Sequence, residues 1–440
     1  MDISRNEAQE QPVKNPSLRS YLEIYQNVYD NFLNQVGTTG LDFGEDRPIA
    51  AVLASIEEQG KKGAEVRNDR KSVYLNNISP ACLACQTGTD SRTYYTSLKC
   101  SKNCFYCFNP NQEHYEYFLA NQRDCAGEIK EARAKGEKLN YIALSGGEPL
   151  LHPQETISFF EAAKAAYPKA HTRLYTSGDF ADEEMLKQLA AAGLQEIRFS
   201  IRLHEGRGPR KKVMDKIALA KKHLPQVMVE MPVFPGSFET MQEILLELDT
   251  IGIFGINLLE LCFPFYNAEA FTERGFQIKN PPFRVLYDYW YAGGLPIAGS
   301  EEVCLELVEF AREQNLRLGV HYCSLENKHS GQIYKQNAGQ RLAKHLYFSP
   351  RDYYIKSAKV FGEDIKPVEK KLKRAGYQDY VVNKDYDFIE FHVTKIPLLK
   401  NLELEIALST QVMEMREDGP YLRELKVEVI SPENFSLEQI

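Results

Sequence analysis

The chain has 440 residues, more than one ordinary domain needs, and its 43% of hydrophobic residues are enough for a large packed core. A charged share of 26% is typical of a soluble protein, and the formal net charge of −8 argues against binding of nucleic acid or an anionic membrane through overall charge. No apolar run approaches the length of a membrane span.

The polar residues from Met1 to Ser17 lack the apolar stretch of a signal peptide, so we expect a cytoplasmic protein. Thiols stay reduced in the cytoplasm. Nine cysteines there suggest metal ligands or reactive thiols more readily than disulfides.

The first part of the chain is predicted to be helical. Apolar and aromatic residues at helical spacing predict a helix from Leu18 to Gln35, and a second from about Pro48 to Gln59. The Lys- and Arg-rich stretch from Lys61 to Lys71 is predicted to be an exposed connector. Residues 1–78 together form a predicted N-terminal helical extension.

From Thr93 onward, short apolar runs alternate with helical patterns. The predicted strands are Tyr94–Leu98, Tyr141–Leu144, Arg173–Tyr175, Glu196–Ile201, Val227–Val233 and Gly255–Leu261. The predicted helices are Ala126–Lys135, Glu155–Ala166, Glu183–Ala192, Lys211–His223 and Glu239–Ile251. This repeating βα unit predicts an α/β fold whose parallel sheet has right-handed crossovers and is either open or curled into a barrel.

A further helix (Glu301–Gln314) and a short apolar run (Leu318–Tyr322) end the alternation, which fades from about Asn327. The last part combines a basic helix with short strands: Ile365–Ala375, Tyr380–Val382, Phe388–Val393 and Lys426–Val429. We therefore divide the remainder into a core, residues 79–326, and a small C-terminal α+β domain, residues 327–440.

Three cysteines follow the first predicted strand, at Cys100, Cys104 and Cys107. Their spacing allows one loop to wrap around a face of an iron–sulfur cubane. A fully ligated cluster would need four protein ligands, so a triplet leaves one iron open for chemistry. A zinc site is the alternative, and it would need a fourth ligand such as His114 or Cys125.

A second motif, Ser145-Gly146-Gly147-Glu148-Pro149, follows the second predicted strand. Its two glycines allow a turn that a Cβ atom would obstruct, and they let a ligand approach the main chain. Glu148 places an acceptor beside the turn, and Pro149 directs the chain into the next helix.

Together the triplet and this turn resemble the two signature motifs of the radical S-adenosylmethionine (SAM) superfamily, over about Thr93 to Phe265. The resemblance implies a partial (β/α)6 barrel, a [4Fe–4S] cluster on the three cysteines, and SAM bound to the open iron through its amino and carboxylate groups. It also implies that Gly146, Gly147 and Glu148 contact the amino end of SAM, and that Tyr106 packs near the adenine.

The same resemblance implies the chemistry. A one-electron donor such as flavodoxin or ferredoxin reduces the cluster, SAM is cleaved reductively, and the resulting 5′-deoxyadenosyl radical abstracts hydrogen from a substrate. At later strand ends, Ser177, Ser200 and Arg202 fall where contacts to SAM are common in the superfamily. Glu230 and Glu260 mark the next two strands. Solvent-exposed strand ends are the alternative for each of these residues.

A second cysteine group consists of Cys82 and Cys85, ahead of the first strand, and Cys323, which closes a short apolar run. The Cys-x-x-Cys spacing is that of a metal-binding knuckle or a redox pair. We hypothesise an auxiliary site, either a second iron–sulfur cluster or a mononuclear metal, with His321 as a fourth ligand. Ordinary thiols in a turn and in the core are the alternative.

This second group gives the chain a looser resemblance to a radical SAM group related to pyruvate formate-lyase activating enzymes. Three functions remain open: radical chemistry on a peptide or protein, including glycyl-radical activation; the same chemistry on a small molecule or nucleoside; or a non-catalytic zinc-binding interaction protein. The aromatic segment Tyr287–Gly294 is a candidate cleft wall or lid, or else part of the core.

Overall fold

The computed structural model describes residues 13–287 and 294–440. Within these residues, no helix is both long enough and apolar enough to cross a membrane. The aromatic segment from Tyr287 to Gly294 lies almost wholly outside the described residues, so its predicted place as a cleft wall or lid stays a prediction.

The chain begins with helices and short strands that precede the main βα repeat. Helix α1 begins after Asn15, whose side chain accepts a hydrogen bond from Leu18 N, and has Pro16 as its first residue. The elements are α1 (Pro16–Gly37), β1 (Phe43–Asp46), α2 (Ile49–Lys61), β2 (Glu65–Arg67), β3 (Ser72–Leu75) and α3 (Pro80–Cys85).

The repeat itself contains six parallel strands, each of the first five joined to the next by one or more helices. Its elements are β4 (Ser91–Tyr95), α4 (Tyr115–Ala120), α5 (Cys125–Ala134), β5 (Tyr141–Ser145), α6 (Pro153–Ala166), β6 (His171–Thr176), α7 (Glu183–Ala192), β7 (Glu196–Phe199), α8 (Arg207–Ala220), β8 (Gln226–Val233), α9 (Phe238–Ile251) and β9 (Gly255–Glu260).

Shorter elements and two longer helices follow. They are β10 (Cys262–Phe263), α10 (Ala268–Thr272), β11 (Ile278–Asn280), β12 (Leu295–Pro296), α11 (Ser300–Glu313), β13 (Gly319–Cys323) and α12 (Leu325–Asn337). The C-terminal part contains β14 (Tyr347–Phe348), β15 (Ile355–Phe361), α13 (Ile365–Arg374), β16 (Val381–Asn383), β17 (Phe388–Phe391), β18 (Ile406–Arg416) and β19 (Gly419–Ile430).

The main sheet has the strand order β2-β3-β13-β9-β8-β7-β6-β5-β4. Strands β4 to β9 and β13 are parallel, whereas β3 and β2 are antiparallel additions at one edge. The predicted partial (β/α)6 barrel is thus confirmed, with β13 as a seventh parallel strand. Helices cover its outer face, where fully buried apolar residues such as Phe159, Ile197 and Ile256 form the core.

A second, antiparallel sheet has the order β16-β17-β15-β18-β19, with β14 beside β15. Helix α13 contributes Val368 and Leu372 to its core. Helix α1 packs Leu18 and Tyr21 against Phe361 of this same sheet. The α+β character predicted for the end of the chain is therefore observed, and α1 packs on it.

Three details of the sequence-based prediction need correction. The first barrel strand ends at Tyr95 rather than Leu98, because the next residues pair with a different partner, described below. The stretch Lys61–Lys71 is not simply an exposed connector: it contains β2, and Lys71 is only 7% exposed. The boundaries proposed at 78/79 and 326/327 cut connected structure, since β2 and β3 join the main sheet and α12 crosses residue 327.

Candidate active site

The cysteine loop, Cys100 to Cys107, lies beyond the carboxyl end of β4, at the edge where parallel barrels collect their chemistry. Cys100 is exposed, and Cys104 and Cys107 are half-buried. Burial raises the pKa of the Cys104 thiol to about 11. A ligand that binds thiolates here must therefore displace their protons.

Backbone hydrogen bonds fix this loop against the glycine turn. Gly147 N donates to Ser97 O at 3.1 Å, and Glu148 N donates to Lys99 O at 2.8 Å. A Cβ atom on Gly147 would lie 2.0 Å from Lys99 O, so only glycine permits this approach. On the other side of the loop, Asn109 Nδ2 donates to Gly146 O at 2.7 Å. The two predicted motifs thus form one unit.

Glu148 is 1% exposed and joins the second strand to the third. Its carboxylate accepts hydrogen bonds from Ser177 N at 2.6 Å, Thr176 Oγ1 at 2.8 Å and Leu150 N at 3.1 Å. Three donors satisfy a buried carboxylate that would otherwise be costly. Glu148 and the predicted site residue Ser177 are therefore hydrogen-bonded to each other, and this contact holds the ends of β5 and β6 together.

Asp179 holds the cysteine loop from the same strand end. Its carboxylate accepts a hydrogen bond from Ser101 Oγ at 2.8 Å and pairs with Lys102 Nζ at 3.0 Å. Both partners belong to the loop, between the first and second cysteine. Sequence reasoning missed Asp179, although its position just after Thr176-Ser177-Gly178 at a strand end was a usable signal.

Aromatic rings support the other side of the loop. Phe105 is buried, with the rings of Phe271 and Tyr106 both 5.0 Å from it, and Tyr106 also contacts His204 at 5.6 Å. Burial and then the neighbouring Cys104 raise the pKa of Tyr106 well above its usual value. Tyr106 thus lies beside Cys104, its predicted contact with the adenine stays a prediction, and Phe105 is a further support that sequence reasoning did not find.

Arg202 and Ser200 follow β7. Arg202 is 3% exposed; its Nη1 donates to Ser200 O at 3.0 Å and its Nε lies 2.8 Å from Glu205 Oε1. Its Nη2 has no hydrogen-bond partner within the described residues, yet the guanidinium interacts electrostatically with Cys104. A buried donor without a partner, next to the cysteines, fits a site that receives an anionic group.

The cysteine loop has to be compared with the two kinds of metal site that its thiols could form. Among the described residues, no three or more His, Cys, Asp or Glu side chains are grouped so as to hold a metal ion. Tetrahedral zinc, with sulfur ligands at about 2.3 Å, needs sulfur atoms close together. In a cubane each cysteine binds a different iron atom, so the sulfur atoms stand further apart. Of the two suggested fourth zinc ligands, His114 is an exposed side chain and Cys125 Sγ already donates to Tyr95 O.

The second cysteine group combines a half-buried, an exposed and a buried residue, which are Cys82, Cys85 and Cys323 in that order. Cys82 Sγ accepts from Asn257 Nδ2 at 3.3 Å and from Arg198 Nη2 at 3.4 Å. Burial raises the pKa of Cys323 to about 12, and Cys85 and Cys82 contribute to the increase. The three cysteines thus interact electrostatically, but within the described residues the structure does not group them as ligands of one ion.

His321 has a structural position. One ring nitrogen pairs with Ser72 Oγ and the other with Asn257 Oδ1, each at 2.8 Å. Burial lowers the pKa of His321 to about 3, so the ring stays neutral. With both nitrogens in hydrogen bonds, His321 is not available as the suggested fourth ligand in this arrangement.

Buried charges surround Cys82. Arg198 pairs with Glu196 and Glu230, and Glu196 also accepts from Ser79 Oγ at 2.6 Å and contacts His171 Nε2 at 2.9 Å. Burial alone would raise the pKa of Glu196, but Arg198 and these hydrogen bonds lower it to about 2. The local sequence pattern did not indicate this network, because only Arg198 and Glu196 share a strand, and Glu230, His171 and Ser79 come from other parts of the chain.

Glu260, at the end of β9, is also paired rather than exposed. Lys279 Nζ lies 2.6 Å from its carboxylate, and Leu325 N donates to it at 2.8 Å. Burial raises the pKa of Glu260 to about 7 in spite of these partners. Glu230 and Glu260 are thus internal charge partners, and neither is a solvent-exposed strand end.

Comparison with known proteins agrees with this geometry. A family model described as the radical SAM superfamily matches residues 94–248. A protein of Methanocaldococcus jannaschii, provisionally named as a glycyl-radical enzyme activating enzyme, is 25% identical over 374 residues, which cover 81% of this chain and 94% of the relative.

Solved structures show more distant likeness. Streptococcus suis SuiB bound to S-adenosylmethionine is 14% identical with a TM-score of 0.41, over 54% of this chain and 51% of that one. Escherichia coli coproporphyrinogen III oxidase (HemN), described as a radical SAM enzyme, is 13% identical with a TM-score of 0.36, over 55% and 57%. The chain therefore spans only about half the length of these solved relatives.

The residues that match the family model include the glycine turn and the strand ends that hold the cysteine loop. The alignment with the Methanocaldococcus jannaschii protein covers 94% of that relative. The interpretation as a non-catalytic zinc-binding protein is therefore wrong. Residues 94–248 form a radical SAM domain, and the chain is a radical SAM enzyme.

Proposed function

We propose that this enzyme binds a [4Fe–4S] cluster through Cys100, Cys104 and Cys107, cleaves SAM reductively there, and abstracts hydrogen from a peptide or protein substrate. The observation that carries the proposal is the unit formed by the cysteine loop and the glycine turn. Backbone hydrogen bonds from Gly147 and Glu148 hold the loop without using its sulfur atoms, which leaves all three thiols for iron.

When bound, the cluster supplies the electron that breaks a carbon–sulfur bond of SAM. This chain's residues would hold and position the reactants. Lys102 and Ser101, fixed by Asp179, keep the loop in place. Arg202 Nη2 offers a buried donor to an anionic group beside Cys104. Phe105 and Tyr106 exclude water from that side of the loop, which protects a reactive intermediate.

The contacts to SAM can be assigned from the backbone atoms of the glycine turn that can still form hydrogen bonds. The amide N–H groups of Gly147 and Glu148 are already bonded to Ser97 O and Lys99 O. Carbonyl oxygens can accept more than one hydrogen bond. We therefore assign the carbonyls of Gly146 and Gly147 to the amino group of SAM, with Glu148 and Ser177 as the brace behind them and Ser200 as the anchor for Arg202.

For the substrate, a glycyl radical enzyme is the specific protein class that we propose. Support comes from the Methanocaldococcus jannaschii relative, provisionally named as an activating enzyme of this kind, whose length this chain covers almost entirely. An external one-electron donor of the flavodoxin or ferredoxin type is part of the proposal.

Anaerobic reconstitution with iron and sulfide tests the first step. We expect a brown protein that forms 5′-deoxyadenosine from SAM when dithionite is added. Adding a candidate glycyl radical enzyme should then produce a protein-centred radical, visible by electron paramagnetic resonance. Turnover of a small molecule or nucleoside, with no radical on any protein or peptide, would overturn the substrate assignment and leave the SAM chemistry intact.

A second metal at Cys82, Cys85 and Cys323 stays a prediction. Its support is that the three cysteines, from α3 and β13, are close enough to interact electrostatically. Two N–H donors on Cys82 Sγ also suit a sulfur that carries negative charge, as a metal-bound thiolate does.

A further inference from the structure

A cavity of about 180 Å³ lies where α2 and α12 meet the C-terminal sheet. It is separate from the site already described, because none of its lining residues belongs to the cysteine loop or to the glycine turn. Its walls are rich in charged side chains.

Lys71 lines this cavity from the residue before β3 and is only 7% exposed. Its backbone is fixed, since Lys71 O accepts a hydrogen bond from Ser324 Oγ at 2.7 Å. Its ammonium group forms no hydrogen bond or ion pair with any of the described residues. A buried ammonium group without a partner is costly, and such groups are rarely kept without a reason.

The other lysine and arginine side chains around the cavity form ion pairs. Arg284 pairs with Glu326 at 3.0 Å and with Asp69 at 3.2 Å. Across the cavity, Lys356 pairs with Asp352 at 2.7 Å.

Lys426 pairs with Glu428 at 2.9 Å on the same wall. Ile440 also lines the cavity, and no ion pair joins it to Lys71 in the described part of the chain. Among the lysines and arginines that line the cavity, Lys71 is thus the one whose side chain forms no ion pair within the described part of the chain.

Arg70 supplies a second donor. Its Nη1 pairs with Glu57 at 2.7 Å, whereas its buried Nε has no hydrogen-bond partner among the described residues. Two neighbouring residues of the chain thus carry donors that no described group satisfies. An anionic ligand would satisfy both.

A smaller space of about 40 Å³ adjoins the cavity, and Lys71 lines both. Its walls include apolar side chains of α2 and of the segment after β11: Val52, Ile56, Pro281 and Phe283. A ligand with its charge at Lys71 could therefore place a short apolar tail there.

We propose that this cavity binds a small organic carboxylate, with its carboxylate group on Lys71 and Arg70 Nε and its short apolar tail beside Val52 and Phe283. A monoanion matches the one unpaired positive charge, whereas a phosphate dianion exceeds it. Burial, followed by the nearby Arg284, lowers the pKa of Lys71, although the carboxylates of Asp352, Glu326 and Asp69 act in the opposite direction.

Calorimetric titration of the full chain with butyrate tests the proposal, with Lys71→Met as the variant and the exposed Lys61→Met as its matched control. We expect butyrate to bind the wild type and the control equally, and Lys71→Met about ten- to a hundredfold more weakly, as befits one charged hydrogen bond. Absence of butyrate binding, or equal affinity for Lys71→Met, would overturn it.

Three further measurements make the test specific. Butyramide, which lacks the charge, should bind at least tenfold more weakly than butyrate, and inorganic phosphate should bind more weakly as well. Equal binding of either would contradict a carboxylate site. Without added ligand, Lys71→Met should melt at a higher temperature than wild type, because it removes a buried charge that has no partner; a lower melting temperature would assign Lys71 a purely structural role.

Discussion

The two cysteine groups differ in what surrounds their sulfur atoms. In the loop from Cys100 to Cys107, backbone N–H groups approach the sulfur atoms: those of Lys102 and Ser101 at Cys100, and that of Asn109 at Cys107. Around Cys82, the donors are the side chains of Arg198 and Asn257. One site is thus built by the path of the chain, and the other by side chains from separate strands.

This difference determines how each site responds to mutation. A backbone-built site depends first on glycines and on loop length, and side chains such as Asp179 add support to it. A side-chain site depends on buried charges whose loss leaves a partner unpaired. The four predictions below test this contrast.

The largest expected effect is at the loop cysteines. Changing Cys100, Cys104 or Cys107 to Ala should remove most of the bound iron and reduce 5′-deoxyadenosine formation to background, because the cluster has no other protein ligand to replace the lost one. Iron analysis and chromatography of the nucleoside product measure both. The control Cys125→Ala, at a buried thiol that donates to Tyr95 O, should retain iron; if all four variants behave alike, the loop is not the cluster site.

The next prediction concerns acid stability of the charge network at Cys82. The pKa of Glu196 in the folded chain is lowered from 4.5 to about 2, so its stabilising contribution is present above pH 4.5 and is lost as the pH falls toward 2. The full contribution is about 3 kcal/mol, of which about 2 kcal/mol should be lost by pH 3. Urea unfolding at pH 7 and pH 3 should show this loss in wild type and a smaller one in Glu196→Gln.

An exposed carboxylate provides the control for that experiment. Glu58→Gln, in the last turn of α2, should keep the wild-type dependence on acid. A Glu196→Gln variant with undiminished acid sensitivity would show that Arg198 does not depend on Glu196 for its charge balance.

Much of the fold was predictable from local patterns. Helix α7 lies where the apolar spacing placed it, Glu183–Ala192, since its period and its Asp182 cap are local features. Strands β15 and β18 were missed, because buried Lys356 and Lys359 interrupt the apolar pattern of the first. Lys356 pairs with Asp352, four residues earlier, and Lys359 pairs with the distant Glu424, so both buried lysines have a counter-charge. A single sequence does not display the second of these pairs.

The candidate site likewise contains residues that the sequence pattern predicts and residues that it does not. The cysteine spacing and the glycine turn are contiguous in sequence, so both could be found without a structure. Asp179 and Phe105 act through space, on partners 30 or more residues away in the chain. Arg198 shares β7 with Glu196 but also pairs with Glu230 on β8, and the sequence does not display that second pair. The Lys61–Lys71 stretch shows the reverse error, since a run of charge suggested solvent where the chain buries Lys71.

A smaller effect on the loop should follow from Gly147→Ala. The new Cβ would lie 2.0 Å from Lys99 O and must displace the segment that leads into Cys100. A shift of this size can cost about a hundredfold in rate, so we expect SAM cleavage to fall by about that factor in the reconstituted enzyme. Gly208→Ala, in α8 with no atom within 4 Å of the added Cβ, should retain full activity; equal activity of the two variants would show that the loop is not held by its backbone.

The smallest expected effect is at Cys82 and Cys85. Each Ala variant should lose the metal that exceeds the loop cluster, while SAM cleavage stays within a few-fold of wild type, because the loop does not depend on α3. Stability should change by no more than about 1 kcal/mol, since Arg198 keeps its ion pairs with Glu196 and Glu230 when the sulfur is removed. Iron and zinc analysis of the reconstituted proteins tests this prediction. If neither metal content changes in either variant, the sulfur of Cys82 only accepts hydrogen bonds from Arg198 and Asn257, and the second cysteine group binds no metal.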